Sequence, residues 1–365
     1  MDASVQAVAE GSARPRPGVA TRPATKNTFH SLTCPPTPAH RCPHEDQGSY
    51  RGGPAVCDDG EVTDMTDQSA EAGALGGTFP ELLRLDEIDE NLFRGRCHAG
   101  APLRAFGGQV AAQALTAAGR TVGADRAVHS LHGYFIRPGD PRRPIVYQVD
   151  RVRDGRSYTT RRITAVQRGE AIFTLSASFK EPEKSAERQR TAPAVPSPAE
   201  LPDPYLAWAE ADPEGYARST VSRTLQMRFV PDDSPGLPPE DPGMPQQFVW
   251  LRAASPLPAD EPLLHVCALT YLSDLTLAST TAMHLQPPRF RRTEPPRLTL
   301  ASLDHAMWFH RPFRADEWLL FAQRSPSSSD GRGLAIGEFY DAGGALVASA
   351  VQEALVRERR EAPGG

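Results

Sequence analysis

Cysteine is scarce in this chain, with five residues in a total of 365. Two of them, Cys97 and Cys267, lie in the regularly patterned part of the sequence and are far apart, so a disulfide framework is not expected. Proteins without disulfides are typical of a reducing compartment. We therefore expect a cytoplasmic protein.

Signatures of several common enzyme mechanisms are also missing. The sequence contains no GxSxG nucleophile elbow, no Walker A loop, no HExxH pair and no paired CxxC. These motifs would indicate serine hydrolase chemistry, phosphate binding and zinc binding. The glycines in residues 331–337 are spaced only loosely like a dinucleotide fingerprint and favour a turn that enters a strand. We expect no cofactor and no bound metal.

Neither sign of charge is in large excess, because 40 Lys and Arg residues stand against 45 Asp and Glu residues. No basic patch dominates the patterned part, so nucleic acid is not expected to be a partner. The longest apolar run, residues 263–285, contains Asp274, two histidines and several hydroxyl residues. This composition favours a buried core helix over a membrane span, and no membrane partner is expected.

The beginning of the chain differs in composition from the rest. Residues 1–78 are rich in Pro, Gly, Ala, Ser and Thr and show no helix or strand period, which predicts a disordered extension. Met65 suits a natural start, so residues 1–64 are expected to be a start-site artefact; peptides from this segment in native cells would contradict that hypothesis. Metal-ligand residue types occur in the extension, but their spacing matches no standard zinc pattern. These residues are His30, Cys34, His40, Cys42, His44 and Cys57.

Two similar halves are predicted downstream of the extension. They are an N-terminal domain over 79–182 and a C-terminal domain over 224–360, joined by a Pro-rich linker over 183–223 with a short helix near residues 205–208. In each half an uncharged helix precedes several β-branched, strand-like runs. SLHGYFIRP (130–138) also resembles SLDHAMWFHRP (302–312), which favours duplication.

The absence of charge from the two helices indicates how each half is built. A helix that lacks a polar face must be buried on nearly all sides. An antiparallel sheet that curls around such a helix provides that environment. We therefore predict an α+β fold with two tandem copies of a curled antiparallel sheet, each wrapped around a long central helix.

Asp274 is the one formal charge within residues 263–285. Because burial of an unpaired carboxylate is costly, this side chain should be paired, reach solvent, or have a function. A structural interpretation places it at the surface or beside an arginine. The functional interpretation is a carboxylate in a dry cleft that accepts a proton from water or orients it.

Such a carboxylate needs polar partners, and two candidates lie on strands. Ser302 belongs to an alternating strand, and Gln352 lies among small and apolar neighbours, where both ends of its amide need partners. Each residue by itself is also compatible with a structural role. The alternation predicts that one face carries Ser302, Asp304, Ala306, Trp308 and His310, and the other Leu303, His305, Met307 and Phe309. Further candidates are Asp304, His305 and His310, although Trp308 and Phe309 suit an apolar wall.

The patterned part, about residues 80–358, resembles the acyl-CoA thioesterase II family. The resemblance is carried by ordered stretches, and these are LFRGRCHAGAPLRAFGGQVAAQAL (92–115), residues 128–179, YLSDL (271–275), ASLDHAMWFHRPFRADEWLL (301–320) and GEFYDAGGALVASAVQE (337–353). It implies a double hotdog fold, an acyl-CoA substrate and hydrolysis of the thioester without a covalent acyl-enzyme. It also implies a homo-oligomer, either a dimer or a tetramer.

The resemblance also implies three catalytic residues. They are Asp274 in the (S/A)DL step, Ser302 before the (I/L)DH step and Gln352 in the VQE step. Asp274 would act as general base or acceptor, while the other two hold the attacking water. Backbone N–H groups near a helix start would stabilise the oxyanion. Phe179 stands in the first half where Gln352 stands in the second, so one catalytic centre is expected.

Two alternative functions stay open at this point. An enoyl-CoA hydratase or dehydratase on the same fold would need a histidine base beside a carboxylate, for which Asp304–His305 or His132 are candidates. A non-catalytic acyl-CoA binding or sensing module would not need the catalytic set. Comparison of enoyl-CoA hydration with thiol release would distinguish these possibilities from thioester hydrolysis.

Overall fold

The computed structural model describes residues 77–98, 104–218, 223–237, 244–287 and 297–359. All of them belong to one compact unit, Asp64–Gly365, and a second unit, Met1–Thr63, lies outside the described residues. The predicted disordered extension, residues 1–78, lies outside the described residues except for positions 77 and 78. The predicted start-site artefact, residues 1–64, lies wholly outside them. The His and Cys residues of the extension lie outside them as well.

Where the structure describes it, the first half contains two helices and six strands. They are α1 (Phe79–Leu82), β1 (Leu85–Asp89), β2 (Leu92–Gly95), α2 (Gly107–Gly119), β3 (Ala127–Phe135), β4 (Ile145–Asp154), β5 (Tyr158–Gln167) and β6 (Glu170–Lys180). The Ala-rich helix and the strands that follow it confirm the predicted order. Strands β1 and β2 were not predicted, because β1 is short and four of its five residues are exposed.

Among the described residues, the second half repeats this plan after two short helices. The elements are α3 (Pro204–Ala211), α4 (Pro213–Arg218), β7 (Leu225–Phe229), β8 (Gln246–Ala253), α5 (Pro262–Ser273), α6 (Leu277–Thr280), β9 (Leu298–Ser302), β10 (Asp304–Phe309), β11 (Leu319–Ser329), β12 (Arg332–Tyr340) and β13 (Leu346–Glu358). Helix α3 confirms the short helix predicted near residues 205–208. The boundaries assigned to the domains stay a prediction.

The strands form one antiparallel sheet with a repeated order. It runs β1-β2-β4-β5-β6-β3 in the first half and continues β10-β13-β12-β11-β8-β7 in the second, with β9 paired to β13. The halves therefore meet at β3 and β10, where His132 lies opposite Ala306. Read from its outer edge, each half has the same connectivity, as expected for a duplicated unit.

Helices α2 and α5 pack side by side and antiparallel. Gly108 at the start of α2 lies against the backbone of Tyr271 near the end of α5, and Gly119 at the end of α2 lies against Leu263 near the start of α5. Small side chains along α2, such as Ala112 and Ala114, are completely buried. The absence of bulk on this helix allows the sheet and α5 to approach it closely. None of the described helices combines the length and apolarity required to cross a bilayer.

The prediction of one continuous helix over residues 263–285 is wrong. Helix α5 ends at Ser273, Asp274 is its C-cap residue, and a separate short helix α6 begins at Leu277. The backbone carbonyl of Thr276 accepts a hydrogen bond from the Gln247 amide on β8. The same carbonyl also accepts the N–H groups of Ser279 and Thr280, so it begins α6 after the chain has turned at Asp274, although the run is apolar enough to continue.

Candidate active site

Asp274 lies where the end of α5 meets the start of α2. Its side chain is buried, and a Cβ atom placed on Gly107 would lie 2.7 Å from its Oδ2 atom. The first N–H groups of a helix have no acceptor within the helix and give this end a partial positive charge. The carboxylate therefore faces a part of the fold that favours negative charge, and Gly107 is the residue that permits this close approach.

The other carboxylate oxygen of Asp274 accepts two hydrogen bonds. Ser302 Oγ donates to Oδ1 across 3.2 Å, and Gln352 Nε2 donates to the same atom across 2.6 Å. Gln352 is completely buried on β13, in register with Ala335 of β12. The structure therefore brings together the three residues that were predicted to form the catalytic set.

Ser302 reaches Asp274 because the strand is irregular at Leu303. Ser302 pairs with Ala354 between β9 and β13, whereas Ala306 pairs with Val351 between β10 and β13. One more residue thus lies between the paired positions on the β9–β10 side than on β13. An extra residue of this kind is a β-bulge, which resets the alternation of side chains.

The bulge overturns the predicted faces of this strand. Ser302 points to Asp274, and His305 also points inward, with its Nε2 atom 2.8 Å from Ser273 Oγ. Asp304, which was predicted to share the face of Ser302, accepts the Glu353 N–H through Oδ1. Strict alternation fails because it assumes an uninterrupted ladder.

His305 is a buried neighbour of the site and is held in its neutral form. Burial lowers its pKa, and this effect outweighs the opposing influence of Asp274 and Asp304. Ser273 Oγ also donates to the carbonyl of Thr270, so His305 Nε2 is best assigned as the donor to Ser273.

The other histidines proposed from the sequence lie elsewhere. His310 is exposed and its Nε2 atom is 2.9 Å from Ser349 Oγ. His132 is exposed on β3, where its ring lies edge-on to Trp308 with the ring centroids 5.0 Å apart. Trp308 and Phe309 are only half-buried. The structure does not place His132 or His310 with Asp274.

Three residues around Asp274 were given no role by the sequence analysis. Gly107 separates the carboxylate from Phe135, whose ring would lie 2.9 Å from a Cβ at that glycine. Tyr271, one helical turn before Asp274, is buried between the rings of Phe79 and Phe106. The glycine pair that opens α2, Gly107 and Gly108, was the one sequence signal for a close contact at this position. The sequence does not show which element lies opposite the pair, so the contact with Asp274 could not be predicted.

The sheet and its buried helices define a hotdog-fold protein. A protein of hotdog fold from Alicyclobacillus acidocaldarius has a similar structure, with a TM-score of 0.58 at 22% identity over 77% of this chain and 98% of that one. The crystal structure of an acyl-CoA thioesterase II from Mycobacterium marinum is similar at 43% identity. Its TM-score is 0.65, and the match covers 77% of this chain and 99% of that one.

Sequence comparisons give the activity. The family model described as acyl-CoA thioesterase N-terminal domain matches residues 95–180, and that of the C-terminal domain matches residues 192–356. Acyl-coenzyme A thioesterase 8 of Rattus norvegicus is 36% identical over 80% of this chain and 93% of its own length. Acyl-CoA thioesterase 2 of Haemophilus influenzae is 35% identical over 76% of this chain and 96% of its own length. The chain belongs to the acyl-CoA thioesterase II family and hydrolyses acyl-CoA.

Proposed function

We propose that the thioester is hydrolysed by one water molecule held by Asp274, Ser302 and Gln352. The observation that supports this proposal is the convergence of Ser302 and Gln352 on Oδ1 of Asp274. Two donors from separate strands fix the plane of the carboxylate. Its Oδ2 atom is thereby turned toward Gly107, where it serves as the acceptor of a proton from water.

Gln352 supplies a second acceptor for the same water. Its Oε1 atom is buried and has no hydrogen-bond partner within the described residues. Buried amide oxygens normally accept a hydrogen bond. A water that donates to Asp274 Oδ2 and Gln352 Oε1 directs its lone pairs at the thioester carbonyl, and this orientation lowers the entropic cost of attack.

The start of α2 suits the developing oxyanion. Val110 N is bonded to the carbonyl of Phe106 within the helix, whereas the N–H groups of Gly107 and Gly108 precede the first such bond. Preorganised N–H donors at a helix start stabilise a tetrahedral oxyanion strongly. The CoA thiolate is a good leaving group, so the step needs no strong general acid.

We further propose that the chain is a tandem hotdog with one catalytic centre, with domains at 79–182 and 224–360 and a linker at 183–223. The repeated strand order supports the duplication. In the first half, apolar Phe179 on β6 stands where Gln352 stands on β13. That half contributes the start of α2 to the centre in the second half. We also propose that the protein is cytoplasmic and forms a homo-oligomer. Light scattering of the purified protein would test the oligomeric state.

A single-turnover reaction in ¹⁸O-water tests direct attack by water. We expect one heavy oxygen in the released fatty acid and no acylated protein in the mass spectrum of the quenched enzyme. An acyl adduct on the protein would contradict the mechanism. An enoyl-CoA in the same assay should release thiol, and a hydrated thioester as the main product would instead support the hydratase alternative.

A further inference from the structure

We propose that the β3–β4 loop, residues 136–144, together with Arg104 and Arg168, binds the phosphate groups of CoA. This inference rests on the proposed position of the reacting thioester at Asp274. It concerns the opposite end of the substrate, where CoA carries a diphosphate and a 3′-phosphate.

The β3–β4 loop is held in a defined conformation by one buried side chain. Gln167 Oε1 accepts the Asp140 N–H at 2.8 Å, and Gln167 Nε2 donates to the carbonyls of Asp140 and Arg143, both at 3.0 Å. Gln167 is 8% exposed. A buried amide that bonds the loop on both sides makes this segment a preorganised surface.

Positive charge is concentrated on and around this loop. Five guanidinium groups lie here with two carboxylates, Asp140 and Glu170, which leaves a local excess of three positive charges. The net charge of the whole chain, in contrast, is −5. The five arginines are Arg104, Arg137, Arg142, Arg143 and Arg168. Local charge of the opposite sign to the whole protein attracts an anionic ligand to this position.

Three of these arginines converge on one carboxylate and stay accessible to a ligand. Arg142, Arg143 and Arg168 contact Asp140 at 3.3, 3.4 and 3.4 Å. Their side chains are 88%, 55% and 63% exposed. Asp140 therefore orders three guanidinium groups and offsets only one of their charges, and guanidinium groups bind phosphate oxygens in a bidentate manner.

The loop is connected directly to the catalytic centre. Ala105 N donates to the carbonyl of Gly139 across 2.8 Å, and Ala105 lies two residues before Gly107, the neighbour of Asp274. On the other side, Arg104 Nη2 donates to the carbonyl of Leu300 across 3.0 Å. Leu300 lies two residues before Ser302, a distance of about 7 Å along a strand.

This arrangement gives the substrate a direction. The thioester would lie at Asp274, beside the apolar rings of Phe135 and Tyr271, which suit the acyl chain. The pantetheine arm then passes the start of α2, and the phosphates reach the basic loop outside it. The polar and apolar ends of acyl-CoA thus meet surfaces of matching chemistry.

Kinetics with two substrates test the assignment. We would compare an acyl-CoA with the matching acyl-pantetheine, which lacks the nucleotide, for Arg142→Gln/Arg143→Gln and Arg104→Gln. KM for acyl-CoA is expected to rise about tenfold, the scale of a lost charged hydrogen bond, with kcat retained and KM for acyl-pantetheine unchanged. Raising the salt concentration should weaken wild-type binding of acyl-CoA more than that of the variants.

Matched variants separate this effect from a general loss of charge. Arg162→Gln removes an exposed arginine of β5 that pairs with Asp150 on β4, and it should leave both KM values unchanged. Arg142→Lys/Arg143→Lys should restore part of the affinity. With acyl-dephospho-CoA, a smaller effect of the glutamine variants would assign the 3′-phosphate, and an equal effect would assign the diphosphate.

Equal losses with both substrates, or an equal loss in Arg162→Gln, would overturn the subsite. The catalytic proposal fails separately in the same assay. If Asp274→Asn turned over normally while the arginine variants still raised KM for acyl-CoA alone, the phosphate subsite would stand and the catalytic centre would not.

Discussion

The side-chain amide of Gln352 donates to Oδ1 of Asp274 across 2.6 Å, although the two residues are 78 positions apart in the chain. Strand β13 brings this amide beneath the end of α5. The contact fixes the carboxylate in one orientation, with its second oxygen toward Gly107.

Asp274→Asn is expected to lower kcat at least about 10²-fold, the usual scale for the loss of a general base. The amide keeps the size of the side chain, so the protein should stay folded, as circular dichroism would check. Turnover of several acyl-CoAs, followed by thiol release, measures the effect. Near-normal kcat in the folded variant would remove Asp274 from the mechanism.

Gln352→Glu is expected to move the acid limb of the pH–rate profile to higher pH. The new carboxylate would face Asp274 at hydrogen-bond distance, and two carboxylates this close share one proton, which leaves the pair only at a raised pKa. The base is then protonated over a wider range, so kcat/KM at neutral pH should fall and recover as pH rises. Gln352→Met, which adds no charge, should lose activity without this shift. An unchanged limb in the Glu variant would contradict the placement of the two groups.

Gly107→Ala is expected to lower kcat about tenfold or more, because its methyl group would crowd Asp274 Oδ2 and the ring of Phe135. Gly119→Ala is the matched control at the other end of α2, where the methyl group meets the flexible end of Leu263. Both changes favour the helix by up to about 1 kcal/mol. Equal kcat in the two variants, measured by thiol release, would show that crowding at Gly107 is harmless.

The free energy of unfolding is expected to decrease in acid partly because of His305. Burial lowers its folded-state pKa below the ordinary value of 6.5, so the unfolded chain binds the proton first as pH falls. His305 therefore contributes fully to the free energy of unfolding above about pH 6.5. Below that pH its contribution is lost, by up to roughly 1.4 kcal/mol per pH unit.

Denaturant titrations of wild type and His305→Gln across this pH range measure that contribution. The variant should be less stable at neutral pH but show a shallower loss in acid. Burial also lowers the pKa of three further histidines, His129, His265 and His310. The difference between the two proteins, not the wild-type slope alone, is therefore decisive, and identical slopes would contradict the role of His305.

The sequence was most informative where one residue type had a single chemical reason to be present. An isolated carboxylate in an apolar run singled out Asp274, and a buried amide among small residues singled out Gln352. The helix–strand order of both halves was also predictable from composition and period. The short strands β1 and β2 were not, since β1 is mostly exposed, and neither was the end of α5, because the apolar run continues past it.

By itself, the sequence determined the family, the two uncharged helices and the choice of Ser302 and Gln352 as partners of Asp274. Only the tertiary structure decided their geometry. The helix ends at Ser273 with Asp274 as its cap, a bulge at Leu303 turns Ser302 toward the carboxylate, and the antiparallel packing of α2 on α5 brings Gly107 from the other half. Periodicity reports which residues are buried, but cross-strand register and helix contacts decide what each buried side chain touches.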